Sequence, residues 1–266
     1  MQPESNLISV IVTTWNNEGK IRTCIESVSW ADEVLVVDSF STDRTVEICR
    51  ELGCRVLQHP YESNYAQNDW AIGHTQHPWV LIWDSDEICP PELRDEILEE
   101  MKQPRFAGYT IRRQSQFFGR WIRYSGWQND CPIRLFLKSK SRLEIRQIHS
   151  RVIVDGPVGH FKRPLLHYTF ENLDVWMERF NRYALWSAYN AHERGERPTF
   201  FNLSLRPLWR FFRAYILKRG FLDGKQGFMI AMFSMFSVFM RYLYLHEILD
   251  GTRPAKPPSK EHKDSA

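Results

Sequence analysis

Four short apolar runs, each ending in polar residues and each followed by a helical period, constrain this chain more than any other feature. "LISVIVTT" (Leu7–Thr14), "EVLVVD" (Glu33–Asp38), "RVLQ" (from Arg55) and "WVLIWD" (Trp79–Asp84) are β-branched and aliphatic with little polar interruption. Runs of that length and content read as strands buried on both faces. After the first, Ile21, Cys24, Ile25 and Val28 fall at i, i+3, i+4 and i+7, the spacing of one helix face. "STDRTVEICRELG" opens on capping residues and stops at Gly53, and Asn64–His74 continues the alternation. Pro90 or Pro91 sits where a first-turn proline is tolerated, leading into a helix over Glu92–Met101. Strand–helix repetition of this kind predicts an α/β fold with a Rossmann-like, mostly parallel sheet.

In such sheets ligands bind beyond the carboxyl ends of the strands. That rule selects three clusters: Thr13-Thr14-Trp15-Asn16-Asn17-Glu18, Asp38-Ser39-Phe40-Ser41 and Asp84-Ser85-Asp86-Glu87. The last places three carboxylates within four residues, which repel one another unless they sit in solvent or meet positive charge. Oxygen ligands suit Mg²⁺ or Mn²⁺, which share one or two protein carboxylates with substrate phosphates. Asp84 and Asp86 can reach one such ion if the chain turns there. The plainer reading is an acidic loop that caps the helix after Pro90.

From Gly108 to Tyr168 the pattern changes to short β-like pieces such as "YTIRR", "IRLFL" and "RVIVDG". Helices are expected over 172–193, 203–218 and 226–249, followed by a disordered proline- and charge-rich tail, 250–266. The net charge of +3 demands no nucleic-acid partner. Five cysteines, odd in number and never spaced C-x-x-C, argue against a disulfide framework or a zinc knuckle. "MQPESNLISVIV" lacks the basic start and long apolar stretch of a signal peptide, so a cytoplasmic protein is expected.

The segments "ISVIVTTWNNEGKIRTCIESVSWADEVLVVDSFSTDRTVEIC" and "WVLIWDSDE" resemble the start of a family 2 glycosyltransferase of the GT-A fold. "IRLF", "RVIVDGPVGHFKRPLLHYTF" and "RPLWRFFRAYILKRGFLDGKQGF" extend the likeness to lipopolysaccharide-core glucosyltransferases of the WaaE/KdtX type, over most of residues 7–247. The resemblance implies a catalytic domain over 1–170, with a nucleotide-sugar half over 7–105 and an acceptor half over 106–170. It further implies that Thr13, Trp15 and Glu18 line the nucleotide pocket, that Asp38 bonds the base and that Asp84 lies near the ribose. Asp86 would bind a divalent cation and the diphosphate. Such enzymes invert the anomeric centre in one displacement and need one general base. The acid before "RLF" is Asp130, which takes that role; the bland alternative is a solvated loop acid. Arg134 either orients the site, pairs with Asp130, or is a surface strand residue. Two positions depart from the family pattern. His149-Ser150 stands where relatives have His-Glu, leaving His149 as a diphosphate or metal contact without an acid. Gln67-Asn68-Asp69 stands for Gln-Arg-Asn, removing a positive charge near the donor.

Residues 206–221 interleave Arg206, Arg210, Arg213, Lys218 and Arg219 with Trp209, Phe211, Phe212, Tyr215 and Phe221. The apolar run Gly227–Met240 follows, about four residues short of a spanning helix and interrupted by Arg241. The region 171–249 therefore reads as helices lying in a membrane interface, or as helices whose Met and Phe stripe is core. The expectation as a whole is a cytoplasmic enzyme peripheral on the inner face of the cell membrane. It would move a hexose, most simply from UDP-glucose, to a lipid-anchored glycan such as the lipopolysaccharide inner core. The competing readings are a nucleotidyltransferase and a non-catalytic sugar-binding or membrane scaffold of the same fold. A dinucleotide-dependent oxidoreductase fits less well, because no G-x-G-x-x-G follows the first strand.

Overall fold

The computed structural model describes residues 6–144, 151–168 and 173–255. The chain divides into two units, one of residues 1–115 and 129–168, the other of 116–128 and 169–266. In the first, β1 (Ile8–Thr14), α1 (Glu18–Val28), β2 (Glu33–Asp38), α2 (Thr45–Glu51), β3 (Arg55–Gln58), α3 (Asn64–Ile72) and β4 (Trp79–Asp84) alternate as the periodicity predicts. Next come β5 (Glu87–Ile88), α4 (Pro91–Lys102) with proline in its first turn, and β6 (Gly108–Thr110). The later strands are β7 (Arg113–Phe117), β8 (Arg120–Trp121), β9 (Ile133–Leu137), β10 (Ser141–Glu144), β11 (Arg151–Val154), β12 (Val158–His160) and β13 (Leu165–His167).

The central sheet runs β12-β6-β9-β4-β1-β2-β3. Only β9 opposes its neighbours β4 and β6, so the sheet is mostly parallel, as expected. Because side chains alternate along a strand, Ile8, Val10 and Val12 enter one core and Ile11 the other. Two buried faces are why the strands read as continuous apolar runs. Register then settles where function can sit: Thr13 lies beside Asp84 and Thr14 beside Asp38. A small second sheet matters as much. In it β13 lies between β5 and the start of β7, placing His167 opposite both Glu87 and Ser115.

The second unit contains α5 (Leu173–Glu193), α6 (Phe200–Leu203), α7 (Leu205–Phe212) and α8 (Gly224–Leu249). The helix expected over 203–218 is instead broken at Ser204 and widened into a π turn over Arg213–Leu217. Ala188, Tyr189 and Ala191 of α5 pack with Tyr242, Leu245 and Ile248 of α8. Phe117 and Ile122 pack with Ile230. The buried carboxylate of Asp223 accepts from the backbone N–H groups of Arg123 at 3.1 Å and Tyr124 at 2.9 Å. These contacts place 116–128 with the C-terminal helices, a grouping that sequence proximity hides.

Helix α8 covers the helix expected over 226–249 and carries Arg241 inside it, where that residue ends the apolar run without breaking the helix. Its guanidinium bonds Glu196 at 2.5 Å and lies 5.0 Å from the Tyr242 ring centroid, so its charge is satisfied on the helix surface. The helix is therefore 26 residues long, and Gly220–Leu249 is one segment long and apolar enough to cross a membrane. Residues 250–255 fold back, with Arg253 bonded to Glu247 at 2.8 Å; the rest of the expected tail lies outside the described residues. Near the start of α8, a Cβ on Gly227 would collide with the Gly220 carbonyl oxygen. Gly227→Ala is expected to lower stability by about 1–3 kcal/mol, the range for overpacking, as a lower melting temperature with unchanged nucleotide binding.

Candidate active site

The loops after β1 and β2 are laced together before any ligand is considered. Asn16, at φ +43°, accepts from Thr42 N–H at 2.8 Å and donates its own N–H to Ser41 Oγ at 2.8 Å. Asparagine tolerates that left-handed backbone better than most residues. Glu18 at the start of α1 accepts from Arg44 N–H at 3.0 Å, and its own N–H donates to Asp43 at 3.0 Å. Trp15 stands 65% exposed on the rim, a free aromatic face. Asp38 is fully buried; Ser41 N–H and Gln58 Nε2 each donate to it at 3.0 Å, and Ser41 Oγ bonds its other oxygen. A base could reach Asp38 only with the Ser39–Ser41 loop displaced.

Asn64, capped onto α3 beside Ser63, connects Thr13 Oγ1 at 3.1 Å to Asp84 Oδ1 at 3.4 Å. Asn68, where the family pattern has arginine, is buried and donates to the Asn64 carbonyl at 2.9 Å. It supports the helix that carries Asn64.

The acidic cluster is answered by two arginines. Arg134 Nη2 donates to Asp84 at 3.0 Å and to Glu87 at 2.6 Å, and Nη1 donates to the Ile82 carbonyl at 3.3 Å. Arg113 donates to Asp84 at 3.0 Å, Glu87 at 2.8 Å and Asp130 at 3.1 Å. Glu87 also accepts from Asp84 N–H at 3.1 Å, which fixes the tight turn between β4 and β5. Arg134 is thus neither a surface strand residue nor the partner of Asp130: it is buried under Asp84 and Glu87. Arg113 takes the pairing with Asp130. Burial alone would push the Asp84 carboxyl up, but Arg134 and then Arg113 outweigh it and hold it well below the usual carboxylate range. Burial pushes Glu87 up, against the opposing charge of Arg134. For Arg113, burial is outweighed by Glu87, Asp84 and Asp130, which raise its pKa.

Asp86 points the other way. Its carboxylate lies 3.4 Å from Nε2 of His167, whose Nδ1 is 3.1 Å from Ser115 Oγ. Asp130 sits on the loop before β9, about half exposed, and among the described residues its side chain is anchored by Arg113 alone. His149 lies outside the described residues. The remaining expected positions, Thr13, Trp15, Glu18, Asp38, Asp84, Asp86, Asp130 and Arg134, all belong to the first unit. Glu87 stands in the acidic cluster without an expected role, and Arg113, Asn64 and His167 are not among the expected site residues. The available signal was charge balance, since three crowded acids require cations and Arg113 ends the "YTIRR" strand.

Among the described residues no group of three or more His, Cys, Asp or Glu side chains could by itself hold a metal ion. Asp86 and His167 offer one oxygen and one nitrogen at a partly open position. That fits a divalent cation that takes its other ligands from a diphosphate and water, the usual habit of Mg²⁺.

Residues 9–166 match the model of glycosyl transferase family 2. An uncharacterized glycosyltransferase of Rickettsia typhi is 30% identical, covering 91% of this chain and 87% of its own. The lipopolysaccharide core biosynthesis glycosyltransferase LpsC of Rhizobium meliloti is 27% identical over 85% and 86%. Among solved structures, S. aureus TarS 1–349 in complex with UDP-GlcNAc is similar at 15% identity and TM-score 0.48, covering 92% of each chain.

Proposed function

We propose, from the premise that this chain belongs to glycosyl transferase family 2, that it transfers a hexose with inversion from a nucleotide sugar to a lipid-anchored glycan. UDP-glucose is the simplest donor and the lipopolysaccharide inner core the simplest acceptor. The name of LpsC supports that choice of acceptor. The observation that carries the reading is the division of labour among the acids. Asp84 and Glu87 are each held by both Arg113 and Arg134. Among the described residues the Asp86 carboxylate meets only a histidine at 3.4 Å, and Asp130, about half exposed, makes a single side-chain contact, with Arg113.

In this reading Trp15 stacks with the base, Thr13 and Glu18 shape the pocket floor, and Asp84, fixed by Asn64 and two arginines, meets the ribose. Asp38 holds the second loop and bonds the base when that loop shifts. Asp86 and His167 would hold Mg²⁺ or Mn²⁺, which when bound neutralises the charge of the departing diphosphate. His149 stays a proposed diphosphate contact. The acceptor hydroxyl oxygen bonds to the anomeric carbon, and the bond from that carbon to the diphosphate oxygen breaks. Asp130 takes the hydroxyl proton and the nucleoside diphosphate leaves with the bonding electrons. The exposed apolar residues of the C-terminal unit support a peripheral seat on the cytoplasmic face of the membrane, where such an acceptor is presented.

Calorimetric titration of UDP with and without Mn²⁺ tests the donor half. Wild type is expected to bind only with metal, and Asp86→Ala to weaken that binding at least tenfold. A wild type that ignores UDP and metal alike sinks the reading and favours a scaffold. Binding retained in Asp86→Ala moves the cation elsewhere.

A further inference from the structure

We infer that Arg210, Arg213 and Lys218 of the C-terminal unit form a binding site for the phosphate of a lipid headgroup. The inference rests on the membrane-peripheral reading above and gives it a specific contact.

Helix α7 has three faces where a helix of a soluble domain needs two. Pro207, with Ala214 just beyond the helix end, is buried against the unit. Leu205, Leu208, Trp209 and Phe212 form an exposed apolar stripe, with the two aromatic rings stacked at 5.7 Å. Arg206, Arg210 and Arg213, at i, i+4 and i+7, make the third face. Arg206 is engaged by Tyr242 Oη at 2.5 Å and Asn202 at 3.4 Å. The side chains of Arg210, Arg213 and Lys218 make no hydrogen bond or ion pair with any described residue.

Lys218 is nevertheless held in place. Its N–H bonds the Arg213 carbonyl at 2.9 Å, and its own carbonyl accepts from Ser125 N–H at 3.1 Å. Its side chain lies on Gly126, at φ +96°, where a Cβ would come within 2.6 Å of Nζ. The π turn over Arg213–Leu217 adds the geometry. Bonding from i to i+5 brings Lys218 back over Arg213, whereas in an α-helix residue i+5 points well round the axis. Holding a lysine beside two arginines costs side-chain entropy and Coulomb repulsion. Burial and then Arg213 lower the pKa of Arg210, and burial, Arg213 and Arg210 lower that of Lys218. Between Leu205 and Leu245 the one acid is Asp223, which is buried and bonded to backbone amides. Among the described residues none supplies the missing counter-charge, which leaves the cluster open to an anion.

Guanidinium forks match phosphate oxygens, and lysine adds a compact charge. A soluble anion would need no apolar stripe beside its site. A headgroup phosphate brings acyl chains, which is what Leu205, Leu208, Trp209 and Phe212 are placed to meet.

The test is sedimentation of the full chain with vesicles of phosphatidylcholine alone or with phosphatidic acid. Wild type is expected to bind the phosphatidic acid vesicles at least tenfold more tightly, and R210Q/K218Q to lose that preference. R219Q/K225Q, which removes equal charge from neighbouring positions, should keep it. Equal loss in both double variants overturns the site in favour of diffuse charge, as does retention in both. Wild type that binds both vesicle types equally, through its apolar stripe, overturns the phosphate site and leaves the membrane reading standing. Wild type that binds neither removes the membrane reading and this site with it. If inorganic phosphate then raises the melting temperature of wild type but not R210Q/K218Q, the ligand is a free phosphate and the lipid assignment is wrong.

Discussion

Asp130→Asn is expected to cut hexose transfer by about 10²–10⁴-fold, the usual contribution of a positioned general base, while metal-dependent UDP binding stays within about twofold of wild type. The asymmetry follows from where Asp130 sits. It contributes to no core, and its side chain touches the rest of the unit through Arg113 Nη1 at 3.1 Å. Asparagine keeps an oxygen to accept from Arg113 but loses the charge and the ability to take a proton. Arg113 is bonded to Asp130 twice, since its backbone N–H also donates to the Asp130 carbonyl at 2.9 Å. Arg113→Lys is therefore expected to lower turnover more than donor affinity, because a single ammonium cannot serve Asp84, Glu87 and Asp130 together. Asp130→Asn turning over at the wild-type rate would remove Asp130 as base. Loss of UDP binding in the same variant would make it a structural residue of the donor pocket.

The alternating strands and helices of the first hundred residues were legible because each strand is buried on both faces and each helix shows one apolar face. Those periods are local. The three polar clusters could be placed at one edge for the same reason, since a parallel sheet brings all its carboxyl ends together. What escaped was set by strands two or three residues long. No period marks Glu87–Ile88 or Leu165–His167, yet their pairing puts His167 beside Asp86 and Arg113 beside Glu87. Arg134 was visible but ambiguous, because one arginine in "IRLFL" reads equally well on either face of a strand. Only the sheet order, with β9 beside β4, turns it under Asp84. In the C-terminal unit, the helix through Arg241 was legible, but the ion pair that accommodates its charge was not, because its partner Glu196 is 45 residues away.

Arg134→Met is expected to destabilise the first unit by about 3–5 kcal/mol at pH 7, the range for removing one partner of a buried ion pair. The side chain is 5% exposed and Glu87 is fully buried, so solvent does little to screen what is left. Methionine fills the volume but leaves Asp84 and Glu87 with Arg113 as their one cation. Against a typical total of about 5–15 kcal/mol, that is a large share, and urea denaturation should show a clearly lower midpoint with an unchanged slope.

The pH dependence identifies the cause. In wild type the Asp84 carboxyl is held low, so its stabilisation is full above the ordinary carboxylate range and is lost only as pH falls through that depressed value. In the variant one cation is gone and burial gains weight, so the carboxyls of Asp84 and Glu87 move up. A carboxyl whose folded pKa lies above its unfolded one destabilises at high pH and recovers as it protonates. The deficit should therefore shrink between pH 7 and pH 5, whereas a simple cavity would leave it constant. Adding Glu87→Gln, which keeps an acceptor for Asp84 N–H but removes the buried charge, should restore part of the loss. A double variant no more stable than Arg134→Met would show that packing around β9, not charge balance, is what Arg134 supplies.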